Sequence, residues 1–155
     1  MVLCLIVIAA VILADQLSKI LCVKYLIDAG SVRIISKIVN FTYVENRGAA
    51  FGMLADHRWV FMLLSVAAIA LIVVYLAKAK PQSVLQRVSI ALIAGGGIGN
   101  MIDRVFRGYV VDFIDVQFVK FYVFNVADSA VCVGCGLLVI WAIASEVKSK
   151  KQSRE

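Results

Sequence analysis

The sequence predicts an all-α membrane protein, a bundle of four transmembrane helices with a small extracytoplasmic β element and a lid loop. Three observations predict it. The composition is 63% hydrophobic and 17% charged, with a mean hydropathy of +0.95, whereas soluble domains run at about 45–50% apolar and about 25% charged. Four apolar segments, at 2–27, 59–77, 85–102 and 125–144, each come near the roughly 20 residues that a helix needs to cross a bilayer. Between the first two, residues 32–44 are β-branched and partly alternating, the pattern of a short strand or hairpin. The whole chain, 1–155, reads as a single integral membrane domain.

The first segment has no basic start and no small-x-small cleavage site, and it stays apolar past Asp15 and Lys19. It is therefore expected to be a retained span and not a removed signal peptide. Residues 28–58 form a long connection in which Tyr43, and Trp59 just beyond, suit a membrane interface. The second and third segments are joined by 78–87, which holds Lys78, Lys80, Arg87 and the single proline, Pro81. Past the fourth segment lies a basic tail with Lys148, Lys150, Lys151 and Arg154. Basic residues mark cytoplasmic loops, so both termini are expected in the cytoplasm, with 28–58 and 103–123 outside. The net charge of +6 is thus a topology signal and gives no reason to expect nucleic acid.

Metal and thiol chemistry find little support. Cys4 and Cys22 lie in the first segment, Cys132 and Cys135 in the last, and no histidine stands near to complete a tetrahedral site. They read as small packing residues. His57, the single histidine, reads as a solvated loop residue beside Arg58. Its isolation removes zinc-protease, Ser-His-Asp and Cys-His arrangements. Ser18 and Lys19 are adjacent, so a helix points them about 100° apart. Gly95 and Gly99 match small-xxx-small helix packing better than a phosphate loop.

The acids are the anomaly. An aspartate at the centre of a membrane helix costs roughly 2.5–3.5 kcal/mol, yet Asp103, Asp112, Asp115 and Asp128 fall within one short stretch. Asn100, Asp103 and Arg104 share a helical face, Asn125 and Asp128 repeat the i, i+3 spacing, and Asp15 and Lys19 are an i, i+4 pair. Asp15–Lys19 and Asp103–Arg104 fit structural ion pairs as well as direct roles. Asp112 and Asp128 have no local cation at helical spacing. Two such carboxylates brought together cannot both ionise easily, so one keeps a proton and the pair works as acid and base at once. That is the arrangement of aspartic proteases. Asp115, three residues after Asp112, competes for the same place, and spacing does not choose between them. In the expected topology these groups gather near the outer membrane surface, away from the midplane where transporter sites lie. Glu-Asn-Arg-Gly-Ala-Ala-Phe-Gly at 45–52 reads equally as a turn with a flexible lid and as a substrate contact.

Five motifs in order carry a family resemblance: Asp-Gln-Leu-Ser-Lys at 15–19, Glu-Asn-Arg-Gly-Ala-Ala-Phe-Gly at 45–52, Gly-Asn-Met-Ile-Asp-Arg at 99–104, Val-Val-Asp-Phe-Ile-Asp at 110–115 and Phe-Asn-Val-Ala-Asp-Ser at 124–129. Together they closely resemble lipoprotein signal peptidase, the bacterial signal peptidase II. The resemblance implies an aspartic endopeptidase of the inner or plasma membrane. It would cut prolipoprotein signal peptides just before a cysteine that already carries diacylglycerol. Carried over by motif, Asp112 and Asp128 would be the catalytic pair, which settles the Asp115 ambiguity by resemblance alone. Asn46, Gly48, Asn100, Arg104 and Asn125 would line the substrate site, with Arg104 donating to substrate carbonyls. Asp15, Lys19 and Asp103 would support them. The loop after Phe51 would cover the site, and the 32–44 strands would cradle the substrate. Small departures at Gly97 and Met101 touch no proposed catalytic group.

The expected partners are prolipoproteins bearing diacylglyceryl-cysteine and membrane lipid, with a monomer, no nucleic acid, no metal and no cofactor. A small proton-coupled transporter using the same aspartates is the rival from another class. A pure assembly subunit, with the acids as structural ion pairs, is the third.

Overall fold

In hydrocarbon no water satisfies the peptide groups, so apolar runs of this length fold as helices, which close their own backbone bonds. The computed structural model describes residues 1–48, 58–79 and 83–152. It places helices α1 at Val2–Leu26, α2 at Arg58–Ala79, α3 at Val84–Phe106 and α4 at Val126–Gln152, with strands β1 at Ser31–Ile35, β2 at Val39–Asn46 and β3 at Val110–Val116. Among the described residues, α1, α3 and α4 are long and apolar enough to cross a membrane, and α2 carries a shorter apolar stretch, Ser65–Tyr75.

Three helix ends differ from the sequence expectation, one of them the end of α3, which runs past 102 to Phe106. α3 begins at Val84, where Ser83 accepts the Gln86 N–H at 3.1 Å as an N-cap, so Arg87 belongs to the helix and not to a loop. α4 continues to Gln152 and takes the basic tail residues Lys148, Lys150 and Lys151 into the helix. Lys and Glu are good helix formers, cations suit a helix C-terminus, and Lys150 meets Glu146 one turn back at 2.6 Å.

α3 is the inner helix: half of its apolar window is buried, against 17% for α1 and α4, and it packs on α1, α2 and α4. Small residues allow this. A Cβ on Gly95 would lie 2.9 Å from Val11 of α1, and one on Gly99 would lie 2.7 Å from the Asp15 carboxylate. The expected small-xxx-small contact is therefore made between α3 and α1. Cys4 and Cys22 are buried as expected, but Cys132 and Cys135 are exposed on the α4 surface and pack no core. Cys132 lines the cavity described below.

The β element is larger than the predicted hairpin. β1, β2 and β3 form an antiparallel sheet in that order, so 110–116, expected as plain outer loop, is its third strand. Val32 pairs with Phe41 across β1–β2, and Val44 pairs with Asp112 across β2–β3. Val111 and Phe113 drop from β3 onto Cys22 and Leu26 of α1, forming an apolar cluster that Phe41 and Tyr43 join from β2. Tyr43 therefore serves the sheet: its hydroxyl reaches Tyr109 and Glu45. Trp59 is exposed at the start of α2. The loop after Phe51, His57, Lys80 and Pro81 lie outside the described residues.

Candidate active site

Alternation along β3 separates the two competing aspartates. Side chains of a strand point to opposite faces in turn, so Asp112 and Asp115 diverge. Asp112 is 2% exposed, whereas Asp115 is partly exposed and accepts the Thr42 hydroxyl at 3.0 Å. Across the site, Asn125 is the N-cap of α4 and Asp128 its third helical residue. The Asn125 side chain accepts the Asp128 N–H at 2.9 Å, and the Asp128 carboxylate accepts the Asn125 N–H at 3.2 Å. This reciprocal capping box anchors Asp128 to the helix start.

Three asparagines hold the two acids. Asn46 donates to Asp112 Oδ2 at 2.8 Å, and Asn125 donates to its Oδ1 at 2.6 Å. Asn100 donates to Asp128 Oδ1 at 2.7 Å. The Asn46 carbonyl in turn accepts the Gly48 N–H at 3.0 Å, the tight turn that glycine makes easy there. Among the described residues neither Asp112 nor Asp128 has a cation within ion-pairing distance. Burial is the main force that pushes the Asp112 carboxyl up to about 6; the Asp128 charge pushes the same way, against the amide donors Asn46 and Asn125.

Behind the pair sits a closed ionic cluster. Lys19 is wholly buried and reaches Asp15 at 2.8 Å, Asp103 at 2.9 Å and the Asn100 carbonyl at 2.9 Å. Asp15 also accepts the Ala127 N–H at 3.0 Å, at the start of α4. Asp103 accepts the Val111 N–H at 3.2 Å and meets Arg107 at 3.4 Å. The anticipated Asp103–Arg104 pair is not formed. Neighbours on a helix point about 100° apart, so Asp103 turns inward to Lys19 while Arg104 turns into the cavity, 3.5 Å from the backbone carbonyl of Asn100 and not from the side-chain oxygen that Lys19 reaches.

Asn46, Gly48, Asn100, Arg104, Asp112 and Asp128 all line one cavity of about 1040 Å³. Asn125 does not line it: it is fully buried and holds Asp112 from behind the wall. Asp15, Lys19 and Asp103 likewise lie behind the lining. Sequence reasoning missed Gln16, which donates to both Asp15 and the Gly99 carbonyl at 3.1 Å, and Ser129 on the wall beside Asp128. Both lie inside the quoted motifs, which was the available signal. It also missed Phe121, Tyr122 and Phe124, whose aromatic run carries the cavity rim. Among the described residues no cluster of three His, Cys, Asp or Glu could hold a metal.

A sequence model of the family described as signal peptidase (SPase) II matches residues 7–144. The chain belongs to the signal peptidase II family. This peptidase is 43% identical over 136 residues to the lipoprotein signal peptidase of Clostridioides difficile, covering 88% of this chain and 91% of that one. It is 45% identical over 134 residues to that of Caldanaerobacter subterraneus (86% and 91% covered), and 46% identical over 134 residues to that of Geobacillus kaustophilus (85% and 87% covered). Two solved structures, each of a bacterial membrane enzyme, share its fold at 30% identity. Their TM-scores are 0.90 and 0.84, covering 97% and 92% of this chain and 92% and 93% of theirs. With its membrane-length apolar helices, the peptidase is a bacterial membrane protein. None of these similarities supports the transporter reading.

Proposed function

We propose that this peptidase removes the signal peptides of prolipoproteins as an aspartic endopeptidase, with Asp112 and Asp128 as its catalytic pair. Family membership supports the prolipoprotein substrate. One observation carries the aspartic reading: two buried carboxylates share one cavity, each hydrogen-bonded to amides, while the nearby lysine is spent on two other acids. Charge balance agrees. Lys19, Arg104 and Arg107 face Asp15, Asp103, Asp112 and Asp128, so a single proton on the pair makes the set neutral.

In the resting pair one carboxyl is protonated and the other ionised. The ionised one takes a proton from water as the water oxygen attacks the scissile carbonyl carbon, and the protonated one gives its proton to the carbonyl oxygen. The resulting gem-diol returns a hydroxyl proton to the carboxylate now ionised. The other carboxyl protonates the leaving nitrogen as the C–N bond breaks, and the pair regains its starting state. Arg104, on the cavity wall, is placed to donate to substrate backbone carbonyls, with Asn46 and Gly48 on the same wall. Asn125 positions Asp112. No metal or cofactor enters any step.

In this reading the chain is one domain of four spans, with α2 as the second, and it works as a monomer. The basic residues around 78–87 and in the tail put both termini in the cytoplasm. Asp103 in the last turn of α3, Asp128 in the first turn of α4 and the sheet then lie at the outer membrane surface. A scissile bond just before a diacylglyceryl-cysteine, anchored in the outer leaflet, lies at that level. The test is cleavage of a diacylglyceryl-modified prolipoprotein by the purified, detergent-solubilised chain, read by mass, beside Asp128→Asn and with a chelator. A cut before the lipidated cysteine, insensitive to chelator and absent in the variant, is expected. A cut that chelator abolishes, or that survives in the variant, overturns the aspartic mechanism.

A further inference from the structure

All three asparagines at the acids point their NH2 groups at a carboxylate, and each is held that way by a group on its carbonyl that can only donate. For Asn46 that donor is the Gly48 N–H, and for Asn125 it is the Asp128 N–H. Both are backbone donors within three residues, supplied by a turn and by a helix cap. Asn100 sits inside α3 and has no such local donor. Its carbonyl oxygen takes two long-range donors, the Lys19 ammonium at 2.9 Å from α1 and the Asn125 NH2 at 3.1 Å from the start of α4, and Lys19 is the nearer and the charged one.

Lys19 has three N–H bonds to give. Two go to Asp15 and Asp103, which already outweigh its charge. The third goes to a neutral amide and neutralises nothing. Its effect is directional. A flipped Asn100 would set its NH2 against the ammonium and the Asn125 NH2, and its carbonyl oxygen against the Asp128 carboxylate. That makes three repulsive contacts in place of three attractive ones, of which the one to Lys19 carries a full charge.

We propose that Lys19 is a positioning residue of the reaction, which fixes the Asn100 amide so that its NH2 stays on Asp128 Oδ1 and holds that carboxyl in line with the cavity. The proposal rests on Asp128 being one of the catalytic pair. Lys19 does not line the cavity, so it acts on the rate of the chemical step and leaves substrate binding alone.

A double-mutant cycle on the purified full chain tests this, with Lys19→Met, Asn100→Ala and the two combined, each assayed for kcat and KM on diacylglyceryl-modified prolipoprotein. Loss of one preorganised donor lowers kcat by roughly 100-fold. Asn100→Ala is expected to fall by about that factor. Lys19→Met is expected to fall clearly but by no more than that, because the Asn125 NH2 still faces the Asn100 carbonyl. Both keep KM near wild type, and the combination is expected to fall no further than Asn100→Ala, because both act through the same bond to Asp128. Losses that multiply in the combination, a wild-type kcat in Lys19→Met, or a Lys19→Met defect confined to KM would each overturn the proposal. Lys19→Met leaves two buried acids short of a cation, Asp15 with none and Asp103 with Arg107 alone. If it does not fold, the cycle is run in Asp103→Asn, which removes one of them, and the same outcomes decide. Asp128→Asn is assayed alongside. Activity in that variant sinks the catalytic pair and the proposal with it, whereas an inactive Asp128→Asn with multiplying losses sinks only the role of Lys19.

Discussion

Two buried polar clusters lie side by side in this peptidase, and they are built to opposite ends. Around Lys19 every strong group finds an opposite charge: the ammonium meets two carboxylates and an amide oxygen, and Asp15 and Asp103 also take backbone N–H groups. Among the described residues, the hydrogen bonds to Asp112 and Asp128 come from amide donors, no cation pairs with either acid, and the two open on a cavity with Arg104 on its wall. The first cluster is paired charge to charge, which ties α1, α3 and the start of α4 together. The second has no ion pair in contact and lies beside space for a substrate. Burial alone does not separate these two sets of acids; the presence of a contacting cation does.

The comparison breaks first at the pair. Asp112→Asn and Asp128→Asn should each cut turnover by roughly 10⁴-fold or more, the scale seen when a member of a catalytic unit is lost. Thermal melting in detergent should show both variants still folded, since an asparagine leaves no buried charge behind. Near-wild-type cleavage by either variant would make the two clusters equivalent and end the distinction. The opposite pattern is expected at the ion-paired cluster. Removing one partner of a buried ion pair costs about 3–5 kcal/mol, so Lys19→Met should lower stability by an amount of that order in denaturant titration. A Lys19→Met protein as stable as wild type would show that the cluster does not hold the helices.

Much of this architecture is legible in the amino-acid sequence. Lipid makes charged residues costly, so Asp15, Lys19, Asp103 and Asp128 stand out of apolar segments, and helical spacing groups Asn100 with Asp103. The long-range pairings are hidden. The i, i+4 spacing correctly pairs Asp15 with Lys19, but it gives no hint that Lys19 also reaches Asp103, across two helices. β3 escapes because Val110–Val116 is short and its aspartates are three apart, which spoils the alternation that announces a strand. Its partner β2 lies some sixty residues earlier, a pairing that local pattern does not encode. Once β3 is a strand, its period of two separates Asp112 from Asp115, a choice that sequence spacing leaves open. The asparagine orientations depend on which donor faces each carbonyl, and that is readable only in three dimensions.

A smaller effect sharpens the contrast through pH. The Asp112 carboxyl is raised from its ordinary 3.8 to about 6, so between those values the folded chain holds a proton that the unfolded chain has lost. Stability then falls as pH rises through that window, and the folded state carries the full penalty above about 6. Two units correspond to roughly 3 kcal/mol as an upper bound. Asp112→Asn removes this titration. Denaturant titrations at pH 4 and pH 8 should show the stability of wild type, relative to the variant, improving at the lower pH by roughly 2–3 kcal/mol. A difference that does not change with pH would mean that the acid pair is not electrostatically strained at all.

The smallest effect belongs to Asp115, and it isolates what distinguishes Asp112. The two residues share a strand, a charge and a motif, and they differ by the face of β3 on which they fall. Asp115 is partly exposed and accepts the Thr42 hydroxyl, itself bonded to Ser31 across the sheet. Asp115→Asn keeps an oxygen for that hydroxyl and should change stability by no more than about 1 kcal/mol, the worth of one such hydrogen bond. Because the side chain faces away from the cavity, kcat/KM on a diacylglyceryl-modified prolipoprotein should stay within about threefold of wild type, a ratio of under 1 kcal/mol in barrier. A loss as deep as that of Asp112→Asn would mean that the register of β3 changes when substrate binds, and that the strand face occupied in the resting chain does not decide which aspartate reacts.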